Sequence, residues 1–316
     1  LVSSPSFDPN DLASHDTSSV SEAWASLNDD AERPLTNRAI AGDLYPPGSA
    51  FKLVVASAAL ESGDYTPDTM IPPGPGTFTL PNSSSVMNNF SGGSTTACGE
   101  DDESTLADAL RQSCNTSFAQ LGIALGEDAL ESTAEEFGFG QSMSIPLSVT
   151  PSTIGQDLDD AQLATTSIGQ YETRVTPLQM AMVAGAMAND GVVMQPQLVQ
   201  SVRTSDLSVV SELTPTELGQ PLSRLQRRPH APDDGRGVVE DGTGTAAQID
   251  DVEVGGKTGT AEWGGEGGRT AHSWFVGYAQ TDAKKVAVAV VIEEGGYGST
   301  AAAPVAQDVM EAVVSQ

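Results

Sequence analysis

Residues 45–63 read YPPGSAFKLVVASAALESG. Two prolines and a glycine precede a continuous apolar run that is long enough for a buried helix, and Gly63 marks its end. Ser49 and Lys52 stand at spacing i, i+3, so they share one helix face and we expect the Lys amine near the Ser hydroxyl. A Ser at a helix start also lies beside free backbone N–H groups and the positive end of the helix dipole. The stretch therefore predicts a buried helix that begins with a nucleophile beside a base.

Two later motifs complement this pair: Ser113-Cys114-Asn115 and Lys257-Thr258-Gly259. Taken singly, no motif is specific, because Ser49 also suits an ordinary helix cap and Lys52 a surface position. The second pattern also occurs at Ser26-Leu27-Asn28, but there it precedes the nucleophile and is out of order. Together, the three motifs fall at a helix start, a loop between helices and a strand, from which their side chains can converge on one site.

The residue types in these motifs indicate serine acyl-transfer chemistry. Ser49 is the candidate nucleophile and Lys52 the candidate base, which requires that its neutral form be populated. Burial and a second cation, Lys257, would both lower the pKa of Lys52. Ser113 supplies a hydroxyl for proton relay, and Asn115 an amide that orients either the substrate or Lys52.

The third motif begins a region with strand character. Gly259 has no side chain, so a substrate backbone could lie against the strand edge there. Lys257, together with Thr258 or Thr260, would bind a substrate carboxylate through charge-assisted hydrogen bonds.

Coarse secondary-structure signals predict one mixed domain. Residues 64–102 are rich in Pro, Gly, Ser and Asn and predict extended loop with short strands. Three helical patterns follow between about residues 104 and 137, and Thr176 and Pro177 begin another helix. Strands are expected at the chain start and near residues 252–261, 273–279 and 286–292, before a last helix. Strands at both ends with helices between indicate a sheet that joins the two ends of the chain.

The composition excludes several functional classes. The chain has 14 Lys and Arg against 43 Asp and Glu, a net charge of -29, which opposes binding to nucleic acid or anionic lipid. No apolar run reaches the roughly 18 residues of a membrane span. The chain opens without a starting Met or signal peptide, so we expect a fragment of a longer protein.

Two cysteines, Cys98 and Cys114, are present. They either form one disulfide, which the chain-entropy model values at roughly 3 kcal/mol, or remain two free thiols. A location outside the cytoplasm would favour the disulfide.

The sequence resembles the transpeptidase domain of class B penicillin-binding proteins, especially actinobacterial ones, from residue 1 almost to residue 316. The similarity is carried by YPPGSAFK (45–52), SCNTSF (113–118), SIGQ (167–170), VTPLQMA (175–181), GTGTA (242–246) and KTGTAE (257–262). It implies an α/β fold of the α+β type shared with serine β-lactamases: a five-stranded antiparallel sheet flanked by helices. It also implies a subdomain of helices and loops, with an all-helical part, inserted at about residues 64–165, and a missing N-terminal anchor and pedestal.

The resemblance also implies an activity. Ser49 would attack the D-Ala-D-Ala bond of a peptidoglycan stem peptide, release the last D-Ala and pass the acyl group to an amine on a neighbouring stem. β-Lactams would acylate Ser49 instead. The backbone N–H groups of Ser49 and Thr260 would form the oxyanion hole. No metal or other cofactor is implied.

The family also implies a cellular setting. The expected location is extracytoplasmic, with a membrane anchor outside this chain. Other proteins of cell-wall synthesis are expected as partners, in cell shape or in division.

Two alternative functions remain open at this level. A serine β-lactamase or D,D-carboxypeptidase would transfer the acyl group to water, although the Glu-x-x-Leu-Asn segment of class A β-lactamases is absent after the second motif. A β-lactam sensor or silent scaffold would keep the fold and bind partners. Intact Ser49, Lys52 and Lys257 argue against a silent protein.

Residues 222–236, LSRLQRRPHAPDDGR, depart from the family pattern of an amphipathic helix. Pro229 and Pro232 oppose a continuous helix there. We hypothesise a compensated frameshift, because a GC-rich back-translation read one base along gives GSNADLMRQMMV, a capped apolar helix. An unaltered reading frame on resequencing would exclude this.

Overall fold

The computed structural model describes residues 1–91, 94–222, 235–261 and 270–315. Within these ranges the α-helices are α1 (Thr17–Asp29), α2 (Lys52–Ser62), α3 (Leu106–Gln112), α4 (Asn115–Leu125), α5 (Glu127–Glu136), α6 (Asp160–Thr166), α7 (Pro177–Ala188), α8 (Arg236–Glu240) and α9 (Ala302–Val314). The strands are β1 (Thr77–Thr79), β2 (Val86–Asn88), β3 (Phe90–Ser91), β4 (Ser94–Thr95), β5 (Met143–Ser144), β6 (Ser148–Val149), β7 (Val193–Met194), β8 (Ser201–Arg203), β9 (Val209–Glu212), β10 (Glu217–Gly219), β11 (Glu253–Ala261), β12 (His272–Gln280) and β13 (Lys285–Ile292).

The predicted helix that carries the first motif is confirmed. A short 3-10 helix, Gly48–Phe51, leads directly into α2. All residues from Lys52 to Leu60 are buried, so α2 runs through the interior rather than along the surface. Gly63 ends the helix in the left-handed conformation, at φ 80°, which glycine adopts without a side-chain clash.

The main sheet is an antiparallel meander in the order β11-β12-β13. Side chains alternate between its faces, so Trp274 and Val276 join the core that includes α7, whereas Phe275 and Ala279 join the core that includes α9. The sheet is thus covered by a helix on each face. Strand β11, which carries the third motif, lies at one edge of this three-stranded arrangement.

The expectation of a five-stranded sheet is wrong for the described part of the chain. There the main sheet has three strands, and the other strand pairs are two-stranded. The chain start, expected to be a strand, runs as irregular chain and a 3-10 helix, Pro9–Leu12. Pro5 and Pro9 lack the backbone N–H that a sheet ladder needs, and the apolar side chains of Leu1 and Val2 are exposed.

The region between residues 64 and 165 combines short strand pairs with α3, α4 and α5, and these helices match the three predicted patterns. Thr105 caps α3, because its hydroxyl accepts a hydrogen bond from the N–H of Asp108. The structure joins Cys98 and Cys114 in a disulfide. The assignment of 64–165 as a subdomain within a 1–316 domain stays a prediction.

Two further points concern the chain as a whole. None of the helices in the described ranges combines the length and the apolar character needed to cross a bilayer. The frameshift hypothesis concerns a stretch of which residues 223–234 lie outside the described residues.

Candidate active site

Lys52 places its amine in the protein interior at the base of the candidate site. The side chain is fully buried, and Nζ donates hydrogen bonds to the Ser113 carbonyl oxygen and to Asn115 Oδ1, both at 2.7 Å. Burial, and secondarily the charge of Lys257, hold the pKa of Lys52 well below its usual range. A neutral amine that can accept a proton is therefore far more populated here than on a free lysine.

The second motif forms the junction between α3 and α4. Ser113 ends α3 in the left-handed conformation, at φ 61°, which few residues other than glycine adopt. Its conformation turns its carbonyl oxygen toward Lys52. Asn115 is the first residue of α4, and its Nδ2 donates to the Asn88 carbonyl oxygen at 2.9 Å, which leaves Oδ1 to accept from Lys52.

Lys257 brings a second buried amine to the same hydroxyl. Its Nζ donates to Ser113 Oγ at 2.8 Å and to the Thr258 carbonyl oxygen at 3.1 Å, whereas Lys52 Nζ lies 3.5 Å from Ser113 Oγ. Burial lowers the pKa of Lys257 to about 7. The Ser113 hydroxyl therefore lies between two amines whose pKa values are both lowered by burial.

Strand β11 packs against the start of the nucleophile helix with little space between them. A Cβ on Gly259 would lie 2.6 Å from the Pro47 carbonyl oxygen, and a Cβ on Gly48 would lie 2.6 Å from the Thr260 carbonyl oxygen. Both positions therefore require glycine. Trp274 Nε1 donates to the Pro46 carbonyl oxygen at 3.0 Å and fixes the chain just before Ser49.

The remaining residues of the third motif differ in their surroundings. The hydroxyls of Thr258 and Thr243 lie 2.6 Å apart, and Thr258 is buried. Thr260 is half-buried and pairs with Ser273 in the sheet. Ser49 is also half-buried. Ser49 and Thr260 are therefore partly accessible to solvent, at the start of the helix and in β11 respectively.

The site gathers two buried amines around one serine hydroxyl, and comparison with known proteins identifies the family. The model of the penicillin-binding protein transpeptidase domain matches residues 1–311. The chain belongs to this family. The peptidoglycan D,D-transpeptidase PbpA of Mycolicibacterium smegmatis is 39% identical over 329 residues, which cover 100% of this chain and 64% of the relative. The PbpA of Mycobacterium tuberculosis H37Rv is 41% identical over 327 residues, which cover 99% and 64%.

Solved structures of the same family share the fold. Penicillin-binding protein A of M. tuberculosis, as an imipenem acyl-enzyme complex, has a TM-score of 0.88 and 39% identity, with 99% of this chain and 70% of that chain covered. Its penicillin G acyl-enzyme complex has a TM-score of 0.85 and 38% identity, with 100% and 70% covered. The chain thus spans 64% of the length of the curated relatives named above.

In this transpeptidase-family chain, Lys52, Ser113, Asn115 and Lys257 form one hydrogen-bonded cluster at the start of the Ser49 helix. One detail differs from the sequence expectation. The hydrogen bonds of the Lys52 amine in the described part go to the second motif rather than to Ser49.

Gly259 also has a packing role that the sequence did not indicate. Its missing side chain lets β11 approach the Pro47 carbonyl oxygen. Substrate approach at Gly259 stays a prediction.

Two residues that contact the second or third motif were not predicted from the sequence. Thr243 lies in the Gly-Thr-Gly-Thr segment that resembles the family, but its partner Thr258 became evident only from the fold. Asn89 lies in a loop rich in Asn and Ser, where one more Asn carries no signal. Its side chain binds the backbone of Asn115.

Proposed function

We propose that this chain is the acyl-transferring domain of a peptidoglycan D,D-transpeptidase that reacts through a serine acyl-enzyme and is inhibited by β-lactams. The proposal rests mainly on one observation: the amines of Lys52 and Lys257 converge on Ser113, and the amide of Asn115 holds Lys52, beside the start of the Ser49 helix. The relatives named above are peptidoglycan D,D-transpeptidases, and this similarity supports the reaction and the substrate.

In the acylation step, neutral Lys52 takes the proton of Ser49 as Oγ bonds to the carbonyl carbon of the penultimate D-Ala. The backbone N–H groups of Ser49 and Thr260 stabilise the oxyanion that forms. The proton then passes through the Ser113 hydroxyl to the leaving amine as the peptide bond breaks and D-Ala departs. A positively charged Lys257 and the hydroxyls of Thr258 or Thr260 bind the terminal carboxylate of the substrate.

In the second step, the amine of a neighbouring stem peptide attacks the acyl-enzyme, forms the cross-link and returns the proton to Ser49. A β-lactam carbonyl enters the same path, but its leaving amine stays tethered and the acyl-enzyme persists. The substrate implies an extracytoplasmic location. Disulfides such as Cys98–Cys114 persist in the oxidising environments outside the cytoplasm. Membrane attachment through a segment outside these 316 residues, and partners in cell-wall synthesis, remain proposals.

The test is the intact mass of the protein after incubation with penicillin G. We expect a gain of one penicillin per chain, slow release of the adduct, and its recovery on the peptide that contains Ser49. Ser49→Ala should show no adduct. Ser57→Ala is the matched control, because Ser57 lies in the same helix and its hydroxyl is bonded to the Leu53 carbonyl oxygen.

Each outcome has a clear meaning. A penicillin adduct on Ser49→Ala would refute Ser49 as the nucleophile. Rapid turnover of penicillin by the wild-type protein would support a β-lactamase instead.

A further inference from the structure

We infer that Asn89 is a positioning residue of the acylation site: its side chain caps α4 from a distant loop and thereby fixes Asn115 against Lys52. The inference rests on the proposed function. Asn89 is 3% exposed and precedes Asn115 by 26 residues. No motif of the family likeness described above includes it.

The start of α4 lacks a local cap. Its N-cap residue is Cys114, which makes no side-chain cap hydrogen bond, and the Cys114 sulfur is bonded to Cys98. The first N–H groups of a helix have no partner within the helix, and a buried helix start needs acceptors from elsewhere. Asn89 supplies the acceptor, because its Oδ1 receives the N–H of Asn115 at 2.7 Å and that of Thr116 at 3.0 Å.

The other end of the Asn89 amide is held equally firmly. Nδ2 donates to Thr116 Oγ1 at 2.7 Å and to the carbonyl oxygens of Pro75 at 3.0 Å and Gly74 at 3.4 Å. An Asn side chain has two donors and one carbonyl oxygen with two lone pairs, and all of them are used here. These bonds fix the orientation of the amide. The amide in turn fixes the positions of the two helix residues that it caps, Asn115 and Thr116.

The consequence for the site follows from Asn115. Its backbone N–H is held by Asn89, and its Nδ2 by the Asn88 carbonyl oxygen, so Oδ1 is directed at Lys52 Nζ, 2.7 Å away. Without the cap, the first turn of α4 would lose both acceptor bonds, and Asn115 would no longer be held against the base. Asn89 thus acts through Asn115 and does not itself touch the reacting atoms.

The test is single-turnover acylation by a fluorescent penicillin at several concentrations, which separates the affinity from the first-order acylation rate. Asn89→Leu should lower the first-order rate at least about tenfold, because small displacements of catalytic groups have large effects on rate. The affinity should change by a smaller factor. Asn89→Asp keeps the acceptor for the helix but loses the donor, so its rate should lie between those of Asn89→Leu and wild type.

Gln179→Leu is the matched control. It also removes a buried amide, whose Nε2 donates to the Phe137 carbonyl oxygen at 2.8 Å, but it lies outside the site. It should lower the unfolding midpoint and leave the acylation rate unchanged.

A folded Asn89→Leu protein with the wild-type rate would overturn the inference, and so would an equal loss of rate in Gln179→Leu. If Asn89→Leu does not fold, the smaller truncation Asn89→Ala, which also removes the cap, takes its place, and a wild-type rate in folded Asn89→Ala overturns the inference. Absence of acylation in the wild-type protein would instead refute the proposed function, so the two failures are distinguishable.

Discussion

The amines of Lys52 and Lys257 both lie within 3.5 Å of the Ser113 hydroxyl. Both lysine side chains are fully buried. Desolvation disfavours the charged form of each, and the pKa of Lys52 is lowered further by the charge of Lys257. The proposed chemistry needs both states: a neutral Lys52 to accept a proton and a charged Lys257 to bind a carboxylate. Because the pKa of Lys257 is lowered to about 7, the population of its charged form is sensitive to pH near neutrality.

The first prediction concerns this balance. Lys257, with a pKa of about 7, is mostly charged at lower pH and mostly neutral at higher pH. The affinity for the penicillin carboxylate should therefore fall as pH rises, by about tenfold per pH unit well above the pKa. The profile is obtained by measuring acylation rates as a function of penicillin concentration. The measurements are repeated from about pH 6 to about pH 9 in steps of about one pH unit.

Lys257→Arg provides the control for that profile, because a guanidinium stays charged over the whole range. The alkaline loss of affinity should be absent in this variant. The same loss in Lys257→Arg, or none in the wild-type protein, would contradict the assignment of the carboxylate site to Lys257.

At the level of elements, the site depends on the close contact between β11 and the start of the nucleophile helix. Gly48 and Gly259 each remove a side chain from this contact, and a backbone oxygen of the opposing segment occupies the space. The distance between Ser49 and β11 is therefore set by backbone packing.

The second prediction is that Gly259→Ala separates the two elements. The new Cβ would lie 2.6 Å from the Pro47 carbonyl oxygen and 2.9 Å from Trp274 Cβ. Overpacking of this kind costs about 1–3 kcal/mol of the free energy of unfolding. Penicillin labelling should slow as well, because Ser49 and Thr260 move apart. Denaturant unfolding and labelling rates measure the two effects.

Gly185→Ala is the matched substitution in α7. There the new Cβ meets only Ala287 Cβ, at an ordinary 3.9 Å, so helix propensity should raise stability by about 1 kcal/mol. An unfolding midpoint of Gly259→Ala equal to that of wild type would contradict the packing argument.

Sequence signals located the elements best where the signal is local. Gly63 ends α2, and Thr176 with Pro177 begins α7, because each determines the backbone of its own turn. The absent strand at the chain start shows the opposite case, since strand pairing depends on a distant partner. Asn89 could not be recognised for the same reason: its partners are 26 and 27 residues away in sequence.

At the scale of the whole molecule, the charge is unevenly compensated. The chain carries 43 acidic against 14 basic residues, and two of its four lysines, Lys52 and Lys257, are buried at the site. Surface cations such as Arg33 and Arg111 pair with neighbouring carboxylates. Most of the acidic surface nevertheless has no compensating cation, so like charges repel across the folded protein.

The third prediction follows from this repulsion. Raising sodium chloride from about 0.01 M to about 0.15 M shortens the Debye length from about 30 Å to about 8 Å. The thermal unfolding midpoint should rise over this range, because screening relieves repulsion most in the compact state. Scanning calorimetry measures it, and potassium chloride should give the same rise. A midpoint that falls would show that attractive surface pairs dominate instead.

Trp274 joins the strand next to the third motif to the chain just before the nucleophile. Its indole is fully buried, and its N–H is bonded to the Pro46 carbonyl oxygen, whereas Trp24 is 53% exposed. The chain has three tryptophans, and replacing Trp24 and Trp263 by Phe would leave this indole as the single emitter. Its fluorescence would then report movement beside Ser49 during acylation in real time, with unlabelled antibiotic.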